Sequence, residues 1–127
     1  MPETPNNLHL ADAEYRFAAL VWDNEPLASG KLVSLSAEAL GWKKSTTYTV
    51  LKKLSARGIL QNEGGYVTAL IKRSAVQQEE SAAVVDKAFS GSLPKFVAAF
   101  LDTKPISKEE AAAIRAMLNE AEAEGGE

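Results

Sequence analysis

Apolar residues recur at helical spacing in three consecutive segments of the first half of the chain. Residues 11–23 form the first, and the sequence Asn24-Glu25-Pro26 ends it. A second helix is predicted from about Ser29 to Gly41, because glycine suits a left-handed C-terminal cap. The third is the segment GWKKSTTYTVLKKLSARG, residues 41–58, whose inner stripe consists of Thr47, Val50, Leu51 and Leu54.

Two short apolar runs flank a pair of glycines after the third helix. They are residues 59–63 and 66–71, on either side of Gly64-Gly65. Such runs around two glycines predict a β-hairpin. Three helices followed by a hairpin is the order of a winged helix-turn-helix. The predicted fold class is therefore mainly α with a small β-hairpin, and we assign this winged-helix domain to residues 1–73.

Residues 74–127 are predicted to be helical, with a frayed acidic tail. Gly91 and the turn Thr103-Lys104-Pro105 divide them into three helices, and Ser107 with Glu110 has the form of a capping box. Each helix has a single apolar stripe, which a second copy of the chain would bury; a long core within one monomer is the alternative. We interpret the region as a dimerisation module built on Phe96, Val97, Phe100, Leu101, Ile114 and Leu118.

The composition argues against several classes of protein. The 127 residues contain no cysteine, which excludes disulfide bonds, thiolate metal sites and cysteine nucleophiles. The start of the chain does not have the basic and apolar regions of a signal peptide. No apolar run approaches the roughly 20 residues that a membrane span requires. We expect a cytoplasmic protein that does not associate with a membrane.

Positive charge is concentrated in one segment of a chain whose net charge is −3. Residues 31–58 contain six basic residues and one acid, Glu38, whereas the residues from 74 onward contain five bases and ten acids. A local excess of this kind indicates an anionic partner for the basic segment. A solvated helix face without a partner is the alternative.

The third helix has the side chains that a DNA-reading helix requires. Short hydroxyl side chains can approach base edges, and lysine or arginine at the borders of the helix can contact phosphates. The predicted base-reading residues are Ser45, Thr46, Tyr48 and Thr49. The predicted phosphate-binding residues are Lys43, Lys44, Lys52, Lys53 and Arg57. Double-stranded DNA is therefore the predicted partner.

Catalytic and metal sites find little support in the sequence. His9 is the only histidine and there is no cysteine, so a histidine-based triad or a zinc site does not have its usual residues. Adjacent acids such as Glu79-Glu80 point about 100° apart on a helix and are typical of solvated faces. Trp22 and Trp42 could stack on a base or a ligand, but core packing is favoured for both. We expect no enzyme, no cofactor and no metal.

Two other functions are compatible with these residues. In the first, the basic helix binds an acidic protein, and the chain is a winged-helix adaptor without preference among DNA sequences. In the second, the chain is an effector-responsive regulator with a small-molecule pocket between its two halves. The fluorescence of Trp22 and Trp42 could report binding to such a pocket.

A set of motifs extends from residue 10 to about residue 122 in a characteristic order. They are Asp12-Ala13-Glu14 before Trp22; Trp42 with Thr46, Thr49, Leu51, Leu54 and Gly58; Phe89-x-Gly91-Ser92-Leu93; Phe100-Leu101; and Ser107-x-Glu109-Glu110. In this order they resemble the penicillinase-repressor (BlaI/MecI/CopY type) family of winged-helix transcription regulators. The resemblance implies a homodimeric repressor that docks in successive major grooves of a dyad operator. It also implies control of a β-lactam-response or related stress operon.

The resemblance further implies a route of induction. In the family, a membrane sensor protease that responds to β-lactam leads to cleavage of the repressor at an Asn-Phe bond in a C-terminal helix. Carried over, this bond falls at Ala99-Phe100, where the phenylalanine is kept and alanine stands in place of asparagine. The copper-responsive branch uses a C-terminal cysteine cluster, which this sequence does not contain, so copper sensing is excluded. The predicted wing is short and has Glu63 and Gly64-Gly65 in place of a basic tip.

Overall fold

The structure, a computed structural model, describes residues 7–125. Within that range six helices and three strands follow in the order α1 Asp12–Asn24, β1 Leu27–Ala28, α2 Ser29–Leu40, α3 Lys44–Ala56, β2 Leu60–Glu63, β3 Tyr66–Ala69, α4 Arg73–Phe89, α5 Leu93–Thr103 and α6 Lys108–Gly125. The chain divides into two compact units between Ala83 and Val84, inside α4. The first unit contains a winged helix-turn-helix, so the fold class predicted from the sequence is confirmed.

The ends of the first helices follow from residues near their termini. α1 begins after Ala11, whose N–H donates to the Glu14 carboxylate at 2.9 Å, so an acid of the first turn caps the helix. α2 ends at Gly41, whose φ is 70° and whose N–H donates to the Ala37 carbonyl at 3.1 Å. This is the left-handed cap expected from the sequence. α3 begins after Lys43 without a side-chain cap.

A three-stranded antiparallel sheet, in the order β1-β3-β2, completes the winged helix. The predicted hairpin is formed by β2 and β3, and its turn residues Gly64 and Gly65 have φ values of 61° and 82°. Positive φ at both central residues is what a type I′ two-residue hairpin turn requires. The sequence did not predict β1, which pairs Leu27 with Val67. A strand of two residues is too short to show an alternating pattern.

The core of the first unit combines the inner stripes of its helices with residues of the sheet. Its largest apolar side chains with no exposure to solvent are Phe17, Val21, Leu32, Leu54, Ile59, Leu60, Val67 and Val76. Val76 comes from the first half of α4, which explains why this compact unit extends beyond residue 73. The assignment of DNA binding to residues 1–73 and of dimerisation to residues 74–127 stays a prediction.

Both tryptophans pack against this core, as the sequence favoured. The rings of Trp42 and Phe17 are stacked with centroids 5.3 Å apart. The indole N–H of Trp22 donates to the Ile71 carbonyl at 3.0 Å, and its ring meets that of Tyr15 edge-on at 5.4 Å. Each aromatic ring therefore has a structural role at the edge of the core.

The second unit contains the end of α4 together with α5 and α6. The predicted capping box is present at the start of α6, where the Glu110 N–H donates to Ser107 Oγ at 3.0 Å and the Ser107 N–H to the Glu110 carboxylate at 3.1 Å. α6 continues to Gly125, through part of the acidic segment for which the sequence predicts fraying. Alanine and glutamate alternate there, and both are strong helix formers.

Replacement of Phe17 by alanine tests the core of the first unit. Phe17 has no exposed surface and stacks on Trp42, so Phe17→Ala leaves a cavity and should lower the free energy of unfolding by about 3–5 kcal/mol. Urea denaturation at one fixed protein concentration measures the change. Leu70→Ala, at a side chain that is 44% exposed, is the control and should cost less than about 1.5 kcal/mol. Equal losses in the free energy of unfolding of the two variants would contradict the placement of Phe17 in the core.

Candidate nucleic-acid interface

The outer face of α3 carries a row of exposed polar side chains. Ser45, Thr49 and Lys52 are spaced i, i+4 and i+7, which places them in line along one side of a helix. All three are exposed and lie opposite the buried Thr47 and Leu54. This row, called the outer row below, presents hydroxyl groups and one positive charge to any partner that approaches α3.

The predicted base-reading residues are all exposed, but they lie on different sides of α3. Ser45 and Thr49 belong to the outer row, and Thr49 Oγ1 donates to the Ser45 carbonyl at 2.9 Å. The hydroxyl hydrogen of Thr49 is therefore used inside the helix, while its lone pairs and methyl group remain available. Thr46 lies on the side of the helix that also carries Lys53, seven residues later. Tyr48 lies on the other side.

Tyr48 is tied to the start of α2. Its hydroxyl is 3.2 Å from Ser29 Oγ, and the Ser29 N–H donates to the Gly65 carbonyl in the hairpin turn at 2.9 Å. These bonds connect α3, α2 and the wing. Tyr48 is 36% exposed, so part of its ring can contact a partner while its hydroxyl is held in place.

A cleft of about 350 Å³ lies between α3 and β2. Its lining residues are Tyr48, Leu51, Lys52, Ser55 and Asn62. The Ser55 hydroxyl oxygen is buried, and within residues 7–125 it has no hydrogen-bond partner. Asn62 adds an amide that can both donate and accept. Sequence reasoning missed Asn62, because a single amide in a short strand has no distinctive pattern.

Glu14 connects α1 to the end of α3. One carboxylate oxygen lies 2.8 Å from Lys53 Nζ, and the other lies 3.5 Å from a guanidinium nitrogen of Arg57. The Glu14 side chain is only 12% exposed, so these cations and the Ala11 N–H replace the water that the carboxylate has lost. The hydrogen bond from Lys53 is the main reason that the pKa of Glu14 is lowered, since burial acts in the opposite direction.

Arg57 also holds the N-terminal segment, residues 7–11. Its guanidinium donates to the main-chain carbonyls of Asn7 and His9 at 3.3 and 2.5 Å. Lys53 and Arg57, two of the five predicted phosphate-binding residues, are thus already engaged with groups of their own chain. Their contact with phosphate stays a prediction. Sequence reasoning missed Glu14 as their partner, because α1 and α3 are distant along the chain.

The other predicted phosphate-binding residues are Lys43, Lys44 and Lys52. All three are exposed, and in the part of the chain that the structure describes they form no ion pair. Two lie at the start of α3 and the third is in the outer row. The positive charge most available to a partner is therefore at the beginning and on the outer face of this helix.

The tip of the wing carries no basic side chain. Tyr66 is 58% exposed and is paired across the hairpin with Glu63, and the Gln61 amide hydrogen-bonds to the Glu63 carboxylate. An anionic partner would meet a carboxylate at this tip. The geometry therefore does not favour a phosphate contact from the wing.

The predicted dimerisation residues lie on α5 and α6, where they form apolar surface. Within residues 84–125 no residue is fully buried. Phe96 is half-buried against Phe89, with ring centroids 5.5 Å apart. The other predicted residues are between 42% and 51% exposed: Val97, Phe100, Leu101, Ile114 and Leu118. The bond Ala99–Phe100, the predicted cleavage site, lies inside α5.

The structure offers no metal cluster in its described range. Among residues 7–125, no three histidine, cysteine, aspartate or glutamate side chains are placed to hold an ion. His9 Nδ1 is 2.9 Å from a carboxylate oxygen of Glu80. No helix in the same range has the length and apolar character to cross a bilayer.

A model of the family described as penicillinase repressor matches residues 10–120. The match covers nearly the whole chain, including the winged helix and most of the C-terminal helices. The chain belongs to the penicillinase repressor family. The resemblance inferred from the motifs is confirmed. Repressors of this family are not a class of enzyme.

Three solved structures of repressors and regulators are similar to this chain, each at low sequence identity. The solution structure of the Bacillus licheniformis BlaI monomeric form in complex with the blaP half-operator is 23% identical, covers 52% of this chain and 85% of its own, and has a TM-score of 0.46. The solution structure of the DNA binding domain of the repressor BlaI is 23% identical, covers 58% and 92%, and has a TM-score of 0.47. The crystal structure of transcriptional regulator Tm0710 from Thermotoga maritima is 22% identical, covers 89% and 74%, and has a TM-score of 0.43. Comparison with curated proteins finds no match.

Replacement of Glu14 by glutamine tests the link between α1 and α3. Because the folded-state pKa of Glu14 is lowered from 4.5, its ionised form stabilises the fold above that pH, and this contribution is lost as pH falls through the lowered value. Glu14→Gln should therefore cost about 1–3 kcal/mol at pH near 7 and less at a pH below 4.5, where the wild-type contribution is being lost. Urea denaturation at both pH values measures the difference.

The control for this variant is Glu38→Gln, which changes the same charge at an exposed residue of α2. It should alter the free energy of unfolding by less than about 0.5 kcal/mol at either pH. If Glu14→Gln behaved like the control at neutral pH, the carboxylate would not be holding α1 and α3 together.

Proposed function

We propose that the chain is a transcriptional repressor that acts in the cytoplasm and binds a dyad operator in double-stranded DNA as a homodimer. The observation that carries the proposal is the outer face of α3, where exposed hydroxyls lie between lysines that form no ion pair within residues 7–125 and no acid intervenes. Family membership supports repression as the outcome of binding. In the winged-helix arrangement, such a helix enters the major groove and the phosphates on either side are contacted by basic residues.

The base-reading role belongs in this proposal to Ser45 and Thr49, with Thr46 and Tyr48 at the two sides. Thr49 can accept a hydrogen bond with its remaining lone pairs or contact a thymine methyl with its own methyl group. Tyr48 is held by Ser29, so it would reach DNA with its ring. Asn62, from the cleft beside α3, is added to the predicted set as a hydrogen-bonding contact.

The phosphate contacts are divided into two groups. Lys43, Lys44 and Lys52 would bind phosphates directly, because they are exposed and unpaired within residues 7–125. Lys53 and Arg57 would act mainly by fixing the end of α3 through Glu14. That carboxylate balances one of their two positive charges, so their share of the salt dependence should be smaller.

The proposed homodimer rests on the apolar surface of α5 and α6. Exposed apolar side chains on consecutive helices mark an interaction surface, and a second copy of the same surface would cover them. Two copies of α3 would then read two half-sites, as symmetric operators require. The proposal assigns this role to the second unit, with Phe100 and Leu118 among the buried contacts of the dimer.

Family membership also supports induction by a sensor protease in a β-lactam-response or related stress operon. The corresponding bond, Ala99–Phe100, lies inside α5. Cleavage there would require local opening of the helix, since a protease binds an extended segment. It would also remove α6 from the DNA-binding unit, and with it much of the proposed dimer surface. Loss of the dimer would release the operator.

Binding to DNA from the upstream region of its own gene tests the proposed function. The full chain should prefer a fragment with both half-sites over a fragment with one half-site or a scrambled sequence. If each of two subunits neutralises three phosphates, affinity should fall by about a thousandfold between 50 and 200 mM salt. Fluorescence anisotropy over a salt series measures both properties. Equal and weak binding to all three DNAs would favour the protein-interaction adaptor instead.

Replacement of Thr49 by valine tests the base-reading role of the outer row. The change keeps the shape and one methyl group of the side chain but removes the hydroxyl oxygen. The loss of affinity should therefore be confined to operator DNA. Affinity for the operator should fall by about 1–3 kcal/mol if a base contact disappears, and affinity for scrambled DNA should stay constant. Anisotropy titrations with both DNAs at one salt concentration measure the difference.

Lys52→Ala is the matched comparison for Thr49→Val, because Lys52 lies in the same row. It should weaken binding to every sequence alike and lower the slope of the salt dependence by about one for each affected contact. An operator preference that survives Thr49→Val unchanged would show that α3 does not read bases through this residue.

A further inference from the structure

A cavity of about 470 Å³ lies within the first compact unit, on the side of α1 that faces the first half of α4. Its volume is within the range of roughly 300–1,000 Å³ that is usual for small-molecule sites. Its position is separate from the outer row of α3 and from the cleft beside β2. The lining residues are Leu10, Asp12, Tyr15, Arg16, Gln77 and Glu80.

The cavity combines an apolar wall with a fixed aromatic ring. Leu10 is 3% exposed and belongs to the core. Tyr15 is half-buried, and its ring is held edge-on by Trp22 at 5.4 Å between centroids. The Gln77 amide donates to the Tyr15 hydroxyl at 3.3 Å. The ring is therefore supported from two sides and can offer its surface to a ligand.

The charge around the cavity is negative. Asp12 and Glu80 bring two carboxylates, and Asp12 forms no ion pair within residues 7–125. Among residues 7–125, Arg16 is the only basic residue in the lining, and its guanidinium donates to the Ala39 carbonyl at the end of α2 at 3.2 Å. The one positive charge is thus directed toward the carbonyl end of a helix, which leaves the carboxylates to attract a cation.

We propose that this cavity binds a small organic cation, an ammonium group carried on an apolar body. The ammonium group would lie between the carboxylates of Asp12 and Glu80. The apolar body would rest on Leu10 and the Tyr15 ring, whose π face also attracts a cation. A neutral molecule of the same shape would gain only the apolar contacts, and an anion would be repelled.

Occupation of the cavity would be coupled to α3 through the N-terminal segment. Glu80 holds His9 by the 2.9 Å contact with Nδ1, and the His9 carbonyl accepts from Arg57 at the end of α3 at 2.5 Å. A bound cation competes with His9 for Glu80 and so loosens the segment that positions Arg57. This part of the inference rests on the proposed function, and its expected result is weaker binding to the operator.

Titration of the full chain with phenethylammonium tests the site without DNA. Amide chemical shifts of Leu10, Tyr15 and Gln77 should move in a saturable way, and Trp22 fluorescence should change because its ring touches Tyr15. The neutral 2-phenylethanol and the anion phenylacetate have similar apolar bodies, and both should bind about tenfold more weakly or not at all. Equal affinity for the cation and the neutral molecule would overturn the proposal.

Variants of the two carboxylates complete this test. The double change Asp12→Asn with Glu80→Gln keeps the shape of the lining and should weaken phenethylammonium binding by about tenfold. Glu79→Gln removes the same kind of charge from an exposed neighbour that does not line the cavity, and its affinity should match that of the unmodified chain. Unchanged binding in the double variant, or an equal loss in the control, would overturn the proposed site.

Operator binding in the presence of the cation tests the coupling separately. With ionic strength matched by NaCl, saturating phenethylammonium should weaken operator binding several-fold in the unmodified chain and leave it constant in the double variant. Cation binding with no effect on operator affinity would overturn the coupling. A chain that binds the cation but no DNA would instead contradict the proposed function, so the two failures are distinguishable.

Discussion

The carboxylate of Glu14 is almost removed from solvent, and its need for compensating positive charge links α1 to the end of α3. Lys53 and Arg57 meet this need from the end of α3, and the Ala11 N–H meets it from the start of α1. A charge held in this way stabilises the fold only while all of its partners are present, because an unpaired buried carboxylate is costly. Glu14 therefore fixes α1 relative to the end of α3, in addition to the apolar core that the two helices share.

α3 is fixed on two sides, and its outer face remains free as a result. On one side are the ion pairs with Glu14. On the other, Tyr48 bonds to Ser29, which is itself linked to the turn of the wing through Gly65. Neither set of bonds uses the hydroxyl face between them. The base-reading role proposed for α3 would need this rigidity, since specificity depends on a small number of well-placed side chains.

The sequence predicted the elements whose signals are local. The 3.6-residue stripes located the helices, and Gly41 and Gly64-Gly65 located a cap and a turn, because their backbone conformations favour glycine. The sequence did not predict β1, because a strand of two residues is too short to show an alternating pattern. The sequence also did not predict the ion pairs of Glu14 with Lys53 and Arg57, or the cavity between α1 and the first half of α4. Both depend on contacts between distant segments, which charge and spacing along a single chain do not encode.

The position of the N-terminal segment has a consequence for synthesis of the protein. Residues 7–11 are synthesised well before the groups that hold them, Arg57 and Glu80. Leu10 cannot reach its buried place until the first half of α4, with Val76, has emerged. Residues 7–11 must therefore wait for most of the first unit, so that unit should complete its fold in one late step rather than helix by helix.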